Sequence, residues 1–334
     1  LAKLIQAYLD ENQEDGLFIA IDWEKAYDRA SWGYKAEAYK ALGFGPNFRG
    51  LVGLLSNDWK PPKRVVRACG ANSKMFKIYS GVPQGCPFSP LDFLVVLEAL
   101  SRVIKARRYA LDPANRIEGI TIAEIEHILS QFADDTLAFL KGYHSLEAFW
   151  AVVERFEKAS GMKANLPKTI GIKGGTLRGK PVPTDPKLKT DKVTWIVGDN
   201  YTKFLGIPFW ERGETDLYWE KLYLAIKNIV GRWNRHMCAS PFGRAQLANA
   251  MIYSRIRYVV QTIVPPEWFT ISIREDVQAL IWAKDYVATK DEIGAIATYS
   301  RWMKDGAETG KSRANFGLGL IDWPSHVKAL RTRA

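Results

Sequence analysis

Cysteine and histidine are scarce in this 334-residue chain, with three of the first (Cys69, Cys86, Cys238) and four of the second (His127, His144, His236, His326). The cysteines are far apart and odd in number, which excludes a disulfide framework and a thiolate metal site, and the histidines have no ligand spacing. No apolar run approaches the ~18–20 residues of a membrane span. The longest, Leu91–Leu100, already contains Asp92 and Glu98. Internal repeats, low-complexity tracts and a secretory signal are also lacking, and the first residue is not Met. The sequence therefore reads as a segment of a longer product, in a reducing intracellular setting, nucleus or cytoplasm, with no membrane partner.

What is present is ordinary globular composition, 47% hydrophobic and 25% charged, which excludes a disordered or collagen-like chain. The net charge of +11 is unevenly placed: residues 1–150 hold 18 Lys/Arg and 18 Asp/Glu, whereas residues 151–334 hold 29 and 18. A neutral half joined to a basic half suggests a polyanion gripped mainly by the second.

Apolar spacing predicts a helix over residues 1–14, then a short buried strand, Leu17–Ile21, running into Asp22. Helices follow from Trp32 to Leu42 and from Asn47 to about Asn57, then hairpin arms Arg64–Cys69 and Met75–Ser80, and a helix from Ser89 or Pro90 to about Tyr109. Two strand-like runs, His127–Phe132 and Thr136–Lys141, flank Ala133-Asp134-Asp135, and a helix runs from Ser145 to Ser160. Residues 171–192, rich in Gly, Pro and Lys, read as a surface loop. Strand character resumes at Val193–Val197 and Lys203–Phe209. Beyond Asp216 three helices are expected: Trp219–Trp233, Gly243–Val264 and Ile271–Val287. The pattern is α+β first and all-α later.

Asp22 ends an apolar strand, and Asp134-Asp135 lies between two others. Carboxylates at strand ends suit hard cations, which take oxygen ligands, and two such ions can stabilise both the attacking and the leaving oxygen of a phosphoryl transfer. An Asp-Asp pair is equally a favoured hairpin turn. Neighbours on a strand face opposite ways, so Asp134 and Asp135 are equal ligands only if the turn redirects one of them.

The surroundings decide between these readings. Phe18-Ile-Ala-Ile-Asp-Trp-Glu-Lys-Ala-Tyr-Asp28 resembles the first catalytic motif of reverse transcriptases, Ser80-Gly-Val-Pro-Gln-Gly-Cys-Pro-Phe-Ser-Pro-Leu91 their Gly-x-x-Gln-Gly-x-x-x-Ser-Pro motif, and Phe132-Ala-Asp-Asp135 their catalytic hairpin. Ser160–Asn165 with Lys168-Thr169 looks like the segment after that hairpin, and Lys203-Phe-Leu-Gly-Ile207 like the primer-grip strand. All five stand in the family's order over residues 17–209. The Trp-rich helical region beyond, and Gly317-Leu-Gly-Leu-Ile-Asp322, resemble the non-LTR (LINE-type) retrotransposon branch.

The resemblance implies an α+β right-hand polymerase palm, an antiparallel sheet with helices and partial fingers, over residues 1–209, followed by an all-α thumb over 210–334. It implies an RNA-directed DNA polymerase acting on an RNA template, a DNA primer and dNTPs with two Mg²⁺ ions, or Mn²⁺ in their place. Asp22 and Asp134 would be the principal metal ligands with Asp135 beside them, and the Trp23 main-chain carbonyl would complete the shell. Tyr27 would stack under the incoming sugar and exclude a 2′-hydroxyl, or else anchor the core. Gln84 and Gly85 would contact nucleotide and template, and Lys168 the triphosphate unless it is a plain surface lysine. Phe204, Leu205 and Gly206 would form the primer grip. Arg232, Arg235, Arg244, Arg255 and Arg257 would hold the duplex. Lys25 and Asp28 are expected to form a structural pair, Cys86 to be a packing residue, and Trp195, Trp210, Trp219 and Trp233 to be core. Only about 21 residues precede Asp22, so the fingers cations and an endonuclease would lie elsewhere in a retrotransposon polyprotein. Two alternatives stand beside this: a catalytically silent nucleic-acid-binding remnant, and an RNA-templated RNA polymerase, against which Tyr27 argues.

Overall fold

The apolar run before Asp22 becomes the middle strand, Asp15–Ile21, of a five-stranded sheet in the computed structural model. The model describes residues 1–56, 61–211, 216–236, 241–282 and 328–329. Across the sheet the order is Thr194–Trp195, Ile170–Gly175, Asp15–Ile21, Asp135–Leu140 and Leu129–Phe132, antiparallel except for the parallel pairing of the first two. A middle strand is apolar on both faces because both are covered. Leu17, Ile19 and Ile21 join Phe93, Leu97, Phe149 and Val153 from the helices Ser89–Ala106 and Tyr143–Ser160. On the opposite face Phe18 meets Ile5 and Leu9 of the helix Ala2–Asn12.

The expected loop over 171–192 is corrected at its start, where Ile170–Gly175 is a strand beside the middle one. Its glycines disguise it in sequence but serve close packing: a Cβ on Gly174 would lie 2.8 Å from the Phe18 ring. The Lys203–Phe209 strand is likewise two strands, Tyr201–Phe204 and Ile207–Trp210, turned at Leu205 and Gly206, whose φ values of 49° and 80° suit a two-residue hairpin turn.

The chain divides into two compact units, Leu1–Leu205 with Phe209–Arg212, and Gly206–Pro208 with Gly213–Ala334. The first is a mixed helix-and-sheet unit. In the second, the described elements from Leu217 onward are helical: Leu217–His236, a run from Pro241 to Val260 whose middle, Ala248–Tyr253, is a π-helix, and Glu267–Trp282. Trp219 packs on Phe269 with ring centroids 4.8 Å apart, and Ile226, Ile252 and Ile256 of the same unit are also buried. Trp210 and Trp219 are buried as expected, but Trp233 is 38% exposed. Gly317–Asp322, Cys238 and His326 lie outside the described residues.

Candidate active site

The sheet register brings the three aspartates together although 112 residues separate Asp22 from Asp134. Ile21 pairs with Thr136, so the next position past the end of that ladder sets Asp22 opposite Asp135. Asp134 occupies the two-residue turn with Ala133, and Asp135 opens the returning strand, paired with Phe132. The turn therefore redirects one neighbour relative to the other. Ala133 holds φ 53°, a conformation costly for any residue with a Cβ. Ala133→Gly is expected to stabilise the protein by about 1 kcal/mol by relieving this strain. A urea midpoint that fails to rise would show that the turn is relaxed.

All three carboxylates are exposed, and none is ion-paired with a Lys or Arg among the described residues. Burial first, then the charges of Asp134 and Asp22, raise the pKa of Asp135, so the three share one negative field. Among the described residues no group of three or more His, Cys, Asp and Glu side chains is set to hold a metal ion. The candidate donors are fewer than such a group, the exposed carboxylates of Asp22 and Asp134 with the main-chain carbonyl of Trp23 next along the chain from Asp22. The antiparallel bridge between Trp23 and Ala164 is made by its flanking residues, Asn165 N–H to Asp22 C=O at 2.7 Å and Glu24 N–H to Lys163 C=O at 2.9 Å. Trp23's own carbonyl is therefore not consumed by the bridge. Unpaired oxygens of this kind fit a hard divalent cation, which takes few protein ligands.

Sequence reasoning missed what fixes this edge. Thr169 Oγ accepts the Asp22 N–H at 3.3 Å and donates to Asn165 C=O at 3.0 Å, while the Trp23 indole N–H donates to the buried Thr136 hydroxyl at 3.3 Å. The segment Lys163–Thr169 thus holds the backbone of Asp22 and Trp23. Lys168, exposed beside Thr169, has its amide bonded to Asn165 C=O at 3.0 Å.

Tyr27, Gln84, Gly85 and Cys86 line one cavity of about 310 Å³. The glycine loop is tied to the Tyr27 segment by Val82 N–H to Tyr27 C=O at 2.6 Å and Gly81 N–H to Ala30 C=O at 2.8 Å. Gly81, at φ 85°, admits no side chain: a Cβ there would lie 2.7 Å from Asp28 C=O. Tyr27 stacks on Phe93 at 4.5 Å and 17°, a contact that only the helix docking reveals. Burial, then the charge of Asp134, raises the Tyr27 hydroxyl pKa, so it stays neutral. The expected Lys25–Asp28 pair does not form; Glu24 instead meets Arg29 at 3.6 Å and Lys163 at 3.8 Å. Lys25 caps the short helix Ala26–Arg29 in left-handed backbone, and its link to Asp28 is a main-chain one, Asp28 N–H to Lys25 C=O at 2.9 Å.

Phe204, Leu205 and Gly206 sit at the turn of the Tyr201–Trp210 hairpin. A buried ion pair holds the chain just past that hairpin, Lys173 Nζ to Glu211 Oε at 2.9 Å, with the amides of Gly179 and Gly198 on the same carboxylate at 3.1 and 3.0 Å. Burial opposes ionisation of Glu211, but Lys173 and these amides outweigh it and lower its pKa. In the helical unit Arg232, Arg255 and Arg257 are exposed, while Arg244 donates to Leu280 C=O at 3.0 Å and so braces the helix Glu267–Trp282. The Arg235 side chain lies outside the described residues.

The family model described as reverse transcriptase (RNA-dependent DNA polymerase) matches residues 2–209, and the chain belongs to that family. Its relatives place it in the non-LTR retrotransposon branch. It is 24% identical over 269 residues to the transposon TX1 uncharacterized 149 kDa protein of Xenopus laevis, covering 79% of this chain and 19% of that protein. It is 28% identical over 205 residues to a retrovirus-related Pol polyprotein from the type-1 retrotransposable element R2 of Popillia japonica, covering 60% and 27%. The chain thus spans a fifth to about a quarter of these relatives. The solved telomerase of Candida tropicalis, in complex with a fragment of telomeric RNA, aligns with 90% of this chain and 52% of its own at 13% identity and a TM-score of 0.42.

Proposed function

We propose that this chain is the palm and thumb of a non-LTR retrotransposon polymerase, joining dNTPs to a primer 3′-hydroxyl on an RNA template. The observation that carries the reading is the meeting of Asp22, Asp134 and Asp135 at one sheet end, in the unit that also holds the cavity of Tyr27, Gln84 and Gly85. Palm and thumb are assigned to residues 1–209 and 210–334, and the rest of a polyprotein is the expected partner. When bound, two Mg²⁺ ions would activate the attacking hydroxyl and neutralise the departing pyrophosphate. Asp22, Asp134 and the Trp23 carbonyl would hold them, with Asp135 tuning the field. Thr169 and the Ala164 bridge keep the Asp22–Trp23 backbone where those oxygens converge. Lys168 contributes a cation toward the triphosphate. Tyr27, held against Phe93, meets the sugar. The Phe204–Gly206 turn seats the primer end, and Arg232, Arg235, Arg255 and Arg257 meet duplex phosphates, with Arg244 acting chiefly as a brace.

Tyr27 gives the sharpest test of substrate. Tyr27→Ala is expected to reduce the preference for deoxy- over ribonucleotides by about 10–100-fold, because a removed ring opens room for a 2′-hydroxyl. The ratio of kcat/KM for dNTP and rNTP is the readout. An unchanged ratio reassigns Tyr27 to packing, and a ribonucleotide preference in the parent protein favours RNA synthesis instead.

A further inference from the structure

The neutral balance of residues 1–150 conceals a segregated charge. Between Asp58 and Asp92 the sequence holds six Lys/Arg and no Asp or Glu. Five of the six, Lys63, Arg64, Arg67, Lys74 and Lys77, lie on one antiparallel ribbon. Lys63 and Arg64 pair with Lys77 and Phe76, and Arg67 and Ala68 with Asn72 and Ala71. Between these ladders Val66 and Ser73 exchange bonds, Ser73 N–H to Val66 C=O at 2.9 Å and Val66 N–H to Ser73 Oγ at 3.0 Å. The register slips by one residue there, so the returning arm carries a bulge that strengthens the twist.

Four of the five cations are exposed, Arg64 is half-buried, and none is ion-paired among the described residues. Phe76 and Tyr79 are 44% and 63% exposed on the same arm. Single-stranded nucleic acid is held by this combination, cations for the backbone and rings for the bases. An acidic protein surface would use the charge and leave the rings without a role. The ribbon is also rooted at the candidate site. Ser80 Oγ donates to Asp28 C=O at 3.0 Å, and Gly81 is locked against Tyr27 and Asp28. Phe88's amide first, then the Ser89 hydroxyl, lower the Cys86 thiol pKa, and Arg64 adds to this, so its charge reaches the cavity wall.

We propose that the ribbon Lys63–Lys77 is a nucleic-acid-binding arm that holds single-stranded template RNA beside the cavity of Tyr27 and Gln84. The template role rests on the polymerase reading, whereas RNA binding by the arm does not. The test is the affinity of the full chain for a labelled single-stranded RNA of mixed sequence, measured across a salt series. Lys63→Glu, Arg67→Glu and Lys74→Glu together are expected to weaken binding at least tenfold at about 0.1 M salt. Losing three phosphate contacts should also flatten the slope of log affinity against log salt by about 2. The matched reversal Lys105→Glu, Lys141→Glu and Lys158→Glu, also exposed, is expected to change affinity less than threefold. Both triple variants should keep the parent's melting temperature, because surface substitutions of this kind are nearly neutral. Unchanged affinity and slope in the ribbon variant, or equal losses in both variants, would overturn the proposal. Competition by poly-aspartate equal to that by RNA, at equal charge, would also overturn it and assign the ribbon to an acidic protein. Ribbon-dependent RNA binding by a chain that extends no primer would instead sink the polymerase reading and leave the arm standing.

Discussion

Asp22→Asn and Asp134→Asn are each expected to lower primer extension by about 10³-fold or more. Each removes a charged oxygen donor where several kcal/mol of transition-state stabilisation is concentrated, and 1.4 kcal/mol is a factor of ten in rate. Binding of a template–primer duplex should stay within about threefold of the parent, or tighten, because a negative charge beside phosphates is lost. Asp135→Asn should have a smaller effect, since Asp135 is held in the ladder opposite Phe132 beside the turn and is not one of the two principal ligands proposed. Single-turnover extension together with a separate duplex-binding titration measures both. Either principal variant retaining a tenth of parental activity would dissolve the assignment of ligands.

The second large effect concerns folding of the first unit. Lys35 Nζ lies 2.7 Å from Asp92 Oδ2, with both side chains 4% exposed or less, and the Tyr39 hydroxyl donates to Asp92 Oδ1 at 3.0 Å. Burial, then Asp92 beside it, raises the Tyr39 pKa and keeps the hydroxyl a donor. The triad joins the helices Trp32–Ala41 and Ser89–Ala106, the second of which carries Phe93 under Tyr27. Lys35→Met is expected to cost about 3–5 kcal/mol, because it leaves a buried carboxylate unpaired. Lys35→Met, Tyr39→Phe and Asp92→Leu together should restore most of that loss, since an apolar replacement of a whole buried pair is often nearly neutral. Urea unfolding of the three proteins decides it. A cost below about 1 kcal/mol for Lys35→Met would mean that water already reaches the pair.

Much of this site was legible in the sequence because its local signals are strong. Leu17–Ile21 reads as a buried strand and is one, Gly161 does end the Tyr143–Ser160 helix in the left-handed region, and Ala133-Asp134 is indeed a hairpin turn. The strand Ile170–Gly175 was hidden, since three glycines in six residues mimic a loop until Phe18 and Trp195 pack over them. The turn at Leu205 was hidden for the opposite reason: a branched apolar residue in the left-handed region gives no turn signal. Phe93 beneath Tyr27, Thr169 behind Asp22, and the Lys35–Asp92 pair are long-range contacts that no local pattern encodes. The charge ribbon is present in the sequence but cancels against acidic residues elsewhere in the neutral total of residues 1–150.

RNA-directed DNA synthesis is tested most directly by incorporation of dNTPs onto a DNA primer annealed to an RNA template in Mg²⁺, by the parent and Asp134→Asn proteins prepared side by side. The expected result is template-dependent extension by the parent that vanishes in Asp134→Asn and on chelation of the metal. Extension at equal rates by both proteins would contradict the assigned site. No extension by the parent, with duplex binding intact, would contradict the activity itself and mark a nucleic-acid-binding protein without turnover.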